Sequence, residues 1–183
     1  KGIDLVAVPG GFSFGDYLRC GAIAANSPIC GELKAHVERG GYALGICNGF
    51  QVLTETGLLP GALRRNAGLK YIFKPIELQV EAADTAYTSG YEAGQVITVP
   101  IAHHDGNYYV DDAKLAELRA EGRIAFSYVN NPNGSVADIA GVVSRNRRVL
   151  GMMPHPERMA EPSHGGTDGK AMFTSLMSQM ALA

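Results

Sequence analysis

Tyr42-Ala43-Leu44-Gly45-Ile46-Cys47-Asn48-Gly49-Phe50-Gln51-Val52-Leu53-Thr54 is the stretch from which the fold is read. Residues 42–46 are short and apolar, as a buried strand requires, while Phe50, Leu53 and Thr54 begin a helical stretch that stops near Gly57 and Pro60. Between them stands a thiol with a glycine two positions to either side, the layout of a nucleophile elbow with cysteine in place of serine. Such a turn holds the sulfur above the sheet, its small neighbours avoid clashes, and the amino terminus of the following helix favours a thiolate.

Upstream, residues 3–8 (Ile-Asp-Leu-Val-Ala-Val) read as another buried strand, ending at Pro9-Gly10-Gly11. Ser27 is placed to cap a helix with Pro28 at its first position, Ile29, Leu33 and Val37 on one face, and Gly40 at its close. Strand, helix, strand, helix implies a parallel sheet whose strand carboxyl ends face one crevice. Downstream, Ile76, Leu78 and Val80 alternate with polar residues and residues 96–102 form a strand-like run, which fits half-buried antiparallel strands. A helix over 112–121 closes at Gly122, a strand covers 124–129, and Asn130-Asn131-Pro132-Asn133-Gly134 is a turn. Strands at 139–144 and 149–153 form a hairpin around Arg145-Asn146-Arg147, and Met172, Phe173, Leu176 and Met180 mark a closing helix. The expected fold is α/β: a single domain over residues 1–183 with a central, mostly parallel sheet flanked by helices and a smaller antiparallel portion.

Composition narrows the function classes. Apolar residues make up 46% of the 183 and charged ones 19%, and no apolar run is long enough to span a bilayer, so a membrane segment is not expected. Sixteen Lys and Arg against 18 Asp and Glu leave a net charge of −2, too little field to gather nucleic acid. Cys20, Cys30 and Cys47 form neither a disulfide framework nor a C-x-x-C pair, which suits a reducing compartment and hence the cytoplasm; Cys20 and Cys30 read as small buried hydrophobes. The chain starts at Lys1 with a strand instead of a signal peptide, so its beginning reads as cut, not targeted.

A cysteine nucleophile needs a base held by a third group. Met153-Pro154-His155-Pro156-Glu157 follows a strand, with two prolines restricting the backbone and Glu157 placed to accept from one imidazole nitrogen of His155, leaving the other to face sulfur. An oxyanion hole needs two N–H donors; the backbone of Asn48 supplies one candidate and Gly10 or Gly11, Gly11 foremost, the other. Arg64-Arg65 and residues 145–148 read as solvated or partner-facing charge, and no Walker motif is present.

With elbow, distant His-Pro-Glu and preceding Pro-Gly-Gly in place, the chain resembles the class I, or triad, glutamine amidotransferases. Residues 9–19 (PGGFSFGDYLR), 131–135 (NPNGS) and 151–158 (GMMPHPER) together resemble the glutaminase subunits of phosphoribosylformylglycinamidine synthase, a purine-biosynthetic enzyme. The resemblance implies that Cys47 attacks the side-chain amide of L-glutamine, that His155 shuttles protons and Glu157 orients it, and that a glutamyl thioester forms and is hydrolysed. It implies Gln51 as a glutamine-contacting residue. The ammonia would pass to a separate synthase subunit, with a small accessory subunit assisting. That synthase would use ATP and magnesium to make formylglycinamidine ribonucleotide, with no cofactor in this chain. Ala102-His103-His104-Asp105-Gly106 resembles the family's A-H-G-E-G segment, with His104 and Asp105 as departures; no metal is expected there. Relatives carry a strand, helix and second strand before the segment matching Ile3, so the resemblance implies an N-terminal unit lacking here. The elbow alone also fits a cysteine peptidase or γ-glutamyl hydrolase, and a noncatalytic regulatory subunit could retain it.

Overall fold

In the computed structural model, residues 2–16 and 19–181 are described, apart from the side chains of residues 15, 16 and 20. Tyr17 and Leu18 of the 9–19 segment, and the expected burial of the Cys20 side chain, therefore lie outside the described residues. In chain order the elements are β1 (Leu5–Val8), α1 (Cys20–Ala25), α2 (Pro28–Glu38), β2 (Tyr42–Ile46), α3 (Asn48–Glu55), β3 (Ala62–Arg64) and β4 (Ile72–Val80). They continue with β5 (Val96–His103), β6 (Asn107–Tyr109), α4 (Asp112–Ala120), β7 (Ile124–Tyr128), β8 (Ile139–Val143), β9 (Val149–Met152) and α5 (Lys170–Ala181).

Seven strands make one sheet in the order β1-β2-β9-β8-β7-β4-β5, and β3 pairs with β6 separately. β1, β2 and β9 are parallel, with Val8 opposite Gly45 and Ile46 opposite Met152. Three chain segments, 9–11, 47–49 and 153–157, therefore leave the sheet at one edge, the carboxyl ends of three adjacent strands. The α/β sheet with both kinds of pairing is as expected, but its antiparallel part is larger: β9-β8, β8-β7, β7-β4 and β4-β5 all run antiparallel. Alternation of apolar residues tells which face of a strand is buried and not which way its neighbour runs, so the extent of each part was not readable.

The crossing of α3 over β1 and β2 depends on two glycines. A Cβ at Gly49 would fall on the Val8 carbonyl oxygen, and one at Gly45 would come within 2.8 Å of the Gly49 backbone. This close approach lets Phe50 and Leu53 bury completely, each side chain contributing about 1.5–3 kcal/mol, and Phe50 stacks on Tyr108 at 5.6 Å. Tyr87 ties the layers together: its buried hydroxyl donates to Ala43 O on β2 (2.8 Å) and to Arg148 O just before β9 (2.7 Å).

Helix α2 begins at Pro28 after an extended Ser27, and Gly40 takes a left-handed φ of 88° beyond its end. Its buried residues are Cys30, Leu33 and His36, and Val37 packs half-buried against the core, so of the expected face only Ile29, 69% exposed, lies outside. The Ser27 side chain makes no capping hydrogen bond. Helix α1 and the β3–β6 pair carried no periodic signal; α1 packs because Gly21 lies against the Gln51 backbone, where a Cβ would come within 2.8 Å. The Arg145 guanidinium pairs with Glu117 and Glu121, and Arg147 with Asp84, so this charge is largely paired within the chain. Among the described residues, no helix is long and apolar enough to cross a membrane.

Candidate functional site

At the end of β2 the chain turns sharply. Cys47 takes φ 52° and ψ −107°, a backbone conformation that costs a non-glycine residue about 1–3 kcal/mol and is held only where surroundings enforce it. The enforcement is visible: Cys47 N–H donates to Met152 O on β9 (2.8 Å), and Cys47 O accepts from Gln51 N–H (3.2 Å) in the first turn of α3. The side chain is buried, with Sγ 3.6 Å from the Ala102 carbonyl oxygen.

His155 arrives from the neighbouring strand end. Its N–H donates to Pro100 O on β5 (2.8 Å), and its Nδ1 lies 2.6 Å from Glu157 Oε1. A carboxylate accepts, so Nδ1 carries the proton and Nε2 is left with its lone pair. Nε2 is buried and has no hydrogen-bond partner among the described residues. The Glu157 carboxylate is 43% exposed, and Arg158 Nε lies 3.9 Å from the same oxygen.

Gly10 records how closely these groups converge. A Cβ built there would stand 2.7 Å from His155 Cε1 and 3.4 Å from Cys47 Cβ, so the imidazole and the Cys47 side chain both lie beside one glycine. Cys47, His155, Glu157, Gly10 and Gly11 share a cavity of about 620 Å³ whose walls are otherwise mostly apolar, among them Phe12, Tyr71 and Phe73. That size lies within the range of small-molecule sites.

The remaining expected residues are placed differently. Asn48 is the first residue of α3 and its side chain is committed: Oδ1 accepts from the Ser13 hydroxyl, and Nδ2 donates to Gln51 Oε1 (2.7 Å). Gln51 is not on the wall of the large cavity. Its amide donates to Asp105 O (2.9 Å), and it faces a small cleft shared with Arg19 and Glu55. His103, His104 and Asp105 diverge: His103 faces Asn66, the His104 ring meets Tyr71 edge-on at 5.2 Å, and Asp105 lies 3.7 Å from Arg65. Among the described residues, no group of three His, Cys, Asp or Glu could hold a metal ion.

Two residues near the cavity were given no role by the sequence, although His103 stands in the 102–106 segment. Asn66 is fully buried and hydrogen-bonds the 103–106 segment, and His103 is buried beside it. Burial pushes the His103 imidazole down to about 4; the fields of His155 and His104 act in the same direction, opposed by a hydrogen bond to the His103 backbone. His103 is thus neutral near pH 7. Asn66, a lone asparagine in a loop, carries no sequence signal; the A-H-G-E-G resemblance marks the segment of His103, and its pairing with Asn66 is seen only in the folded chain.

Comparison with known proteins agrees with this architecture. Residues 1–172 match the model of the CobB/CobQ-like glutamine amidotransferase domain. A phosphoribosylformylglycinamidine synthase subunit PurQ from Ruegeria sp. (strain TM1040) is 71% identical over 176 residues, covering 96% of this chain and 79% of the relative. Among solved structures, PurLQS from Thermotoga maritima is similar with 45% identity and a TM-score of 0.88, over 97% of this chain and 80% of that one. The glutaminase domain of CTPS from Trypanosoma brucei, 15% identical with a TM-score of 0.58 over 97% of this chain and 72% of that one, shares the fold.

Proposed function

The chain belongs to the CobB/CobQ-like glutamine amidotransferase family, among the glutaminase subunits of phosphoribosylformylglycinamidine synthase, and from that premise we propose that it hydrolyses L-glutamine through Cys47, His155 and Glu157. The observation that carries the reading is the convergence of the Cys47 and His155 side chains on Gly10, with the far nitrogen of His155 tied to Glu157 at 2.6 Å.

The chemistry follows from the order sulfur, imidazole, carboxylate. His155 Nε2 takes the thiol proton as Cys47 Sγ attacks the side-chain amide carbon of glutamine, and the same imidazole returns that proton to the departing nitrogen, which leaves as ammonia. A glutamyl thioester remains. Water then attacks the thioester carbon with His155 as base, the C–S bond breaks, and glutamate and the thiol are regenerated. Glu157 keeps Nδ1 protonated and offsets the charge of the transient imidazolium. The backbone N–H groups of Gly11 and Asn48 serve as the oxyanion donors, an arrangement in which losing one donor costs roughly 10²–10³ in rate. Gln51 supports the site through its bond to the Asp105 carbonyl, 2.9 Å away, on the segment that also carries the Ala102 carbonyl.

The ammonia is delivered to an ATP-dependent synthase subunit, with a small accessory subunit in the assembly, to convert formylglycinamide ribonucleotide to its amidine. Support comes from the names of the relatives, a PurQ protein of the synthase that is 71% identical and a PurLQS structure that is 45% identical. ATP and magnesium belong to the partner, and this chain works without a cofactor. The test is ammonia release from glutamine and amidine formation with the synthase assembled. Cys47→Ala is expected to abolish both while leaving the fold intact. Full glutaminase activity in that variant would remove the nucleophile from the scheme.

A further inference from the structure

Behind the cavity wall, the Asn66 side chain makes four hydrogen bonds. Its Nδ2 donates to Lys70 O (2.8 Å) and His103 O (2.9 Å), and its Oδ1 accepts from His103 Nδ1 (3.0 Å) and Gly106 N–H (3.1 Å). Its backbone N–H donates to His104 O (2.8 Å). The segment it grips, residues 102–106, meets the elbow twice: Ala102 O lies 3.6 Å from Cys47 Sγ, and Asp105 O accepts from Gln51. A Cβ at Gly106 would collide with the His103 imidazole, so the ring is clamped between that glycine and Asn66.

We propose that Asn66 and His103 are positioning residues of the glutaminase reaction: Asn66 fixes His103 as its Nδ1–H tautomer, and the pair sets the height of the Ala102 carbonyl against the Cys47 sulfur. The tautomer follows from donor logic. Asn66 Nδ2 is already spent on two carbonyls, so the atom facing His103 Nδ1 is the amide oxygen, and Nδ1 must donate. The lone pair then resides on Nε2, which is buried and has no partner among the described residues. A neutral ring at this place suits the chemistry next door. When His155 takes the thiol proton it becomes a cation, and a second imidazolium in its vicinity would oppose that transfer.

The inference rests on the proposed Cys47 glutaminase, and it concerns rate more than binding, because neither Asn66 nor His103 lines the cavity. Two polar replacements of His103 separate the role of one nitrogen from that of the other. In His103→Asn an amide N–H takes the place of Nδ1–H and keeps the bond to Asn66. In His103→Gln the amide reaches toward the Nε2 position and gives that bond up.

With the full-length protein assembled with its synthase, His103→Gln is expected to lower kcat by about 10²-fold, the effect of a displacement near 1 Å at a reacting centre, with KM for glutamine nearly unchanged. His103→Asn should stay within about threefold of the unmutated enzyme in kcat, a factor worth well under 1 kcal/mol. Asn66→Ala should match His103→Gln, and the double variant should fall no further than either single change, because the two residues act as one unit. Unfolding midpoints in urea verify that each variant is folded.

Equal loss in His103→Asn and His103→Gln, a loss confined to KM, or additive losses in the double variant would each overturn the proposal. Cys47→Ala run alongside keeps the two ideas apart. If it still releases ammonia, the glutaminase reading fails; if it is inactive while His103→Gln is unimpaired, only the positioning role fails.

Discussion

Replacing Gly10 by alanine adds one methyl group at the point where the Cys47 and His155 side chains converge. The new Cβ would stand 2.7 Å from His155 Cε1, whereas ordinary contact begins near 3.4 Å, so the imidazole must recede by about 0.7 Å, a shift of the order that costs about 10²-fold at a reacting centre. The ring has little freedom to do so harmlessly, being anchored by Pro100 O at 2.8 Å through its backbone and by Glu157 at 2.6 Å through Nδ1. A fall of about 10²-fold in kcat/KM corresponds to roughly 3 kcal/mol of transition-state stabilisation. The backbone adds no strain of its own, because Gly10 is not among the residues with positive φ, so the loss of stability is that of the displaced ring, about 1–3 kcal/mol. Gly31→Ala, on α2 and outside the cavity wall, is the control: a Cβ there meets nothing within 4 Å. Steady-state ammonia release, with iodoacetamide alkylation of Cys47 to show that the thiol is still present and reachable, reads both variants. Undiminished activity in Gly10→Ala, or an equal loss in Gly31→Ala, would refute the claimed crowding of His155 against Gly10.

Three further outcomes follow from the packing and the buried polar groups. Gly49→Ala places a Cβ on the Val8 carbonyl oxygen, a backbone atom that cannot rotate away; a destabilisation of about 3 kcal/mol or more is expected, and a calorimetric melting temperature equal to that of the unmutated protein would count against it. Tyr87→Phe removes the hydroxyl proton shared by Ala43 O and Arg148 O, of which Arg148 O keeps its bond from Ala43 N–H; urea unfolding should show a loss of about 1 kcal/mol. For His103, depressed by burial from 6.5 to about 4, the unfolded chain binds a proton in that window that the folded chain refuses. Stability contributed by the neutral ring is complete above pH 6.5 and is lost as pH falls toward 4, by up to about 3 kcal/mol. The steepness of stability against pH over that interval should diminish in His103→Asn, and identical profiles would contradict the depressed value.

Local chemistry was legible wherever a few adjacent residues suffice to dictate it. Glycine on both sides of Cys47 has no use in an ordinary strand or helix, and the structure uses it: Gly49 lets α3 cross the Val8 carbonyl, and Gly45 lets β2 approach that helix. The His155–Glu157 pair is likewise two residues apart, so its 2.6 Å bond is a local event. The helices over 28–38 and 112–120 carry their own start and stop signals in Pro28, Gly40 and Gly122.

What needed the folded chain was every relation between segments far apart in order. The parallel register of β1, β2 and β9 brings Gly10, Cys47 and His155 to one edge, although 108 residues separate the thiol from the imidazole. The antiparallel run from β9 to β5 follows from how connections return, which alternation of apolar residues does not encode. Gln51 and Asn66 show the same divide: an amide side chain offers donor and acceptor equally, and its partners, here the carbonyls of Asp105 and His103, are chosen by whichever backbone the fold places within reach. Residue identity sets what a group is able to do; which groups meet is decided by the burial and pairing of the whole chain.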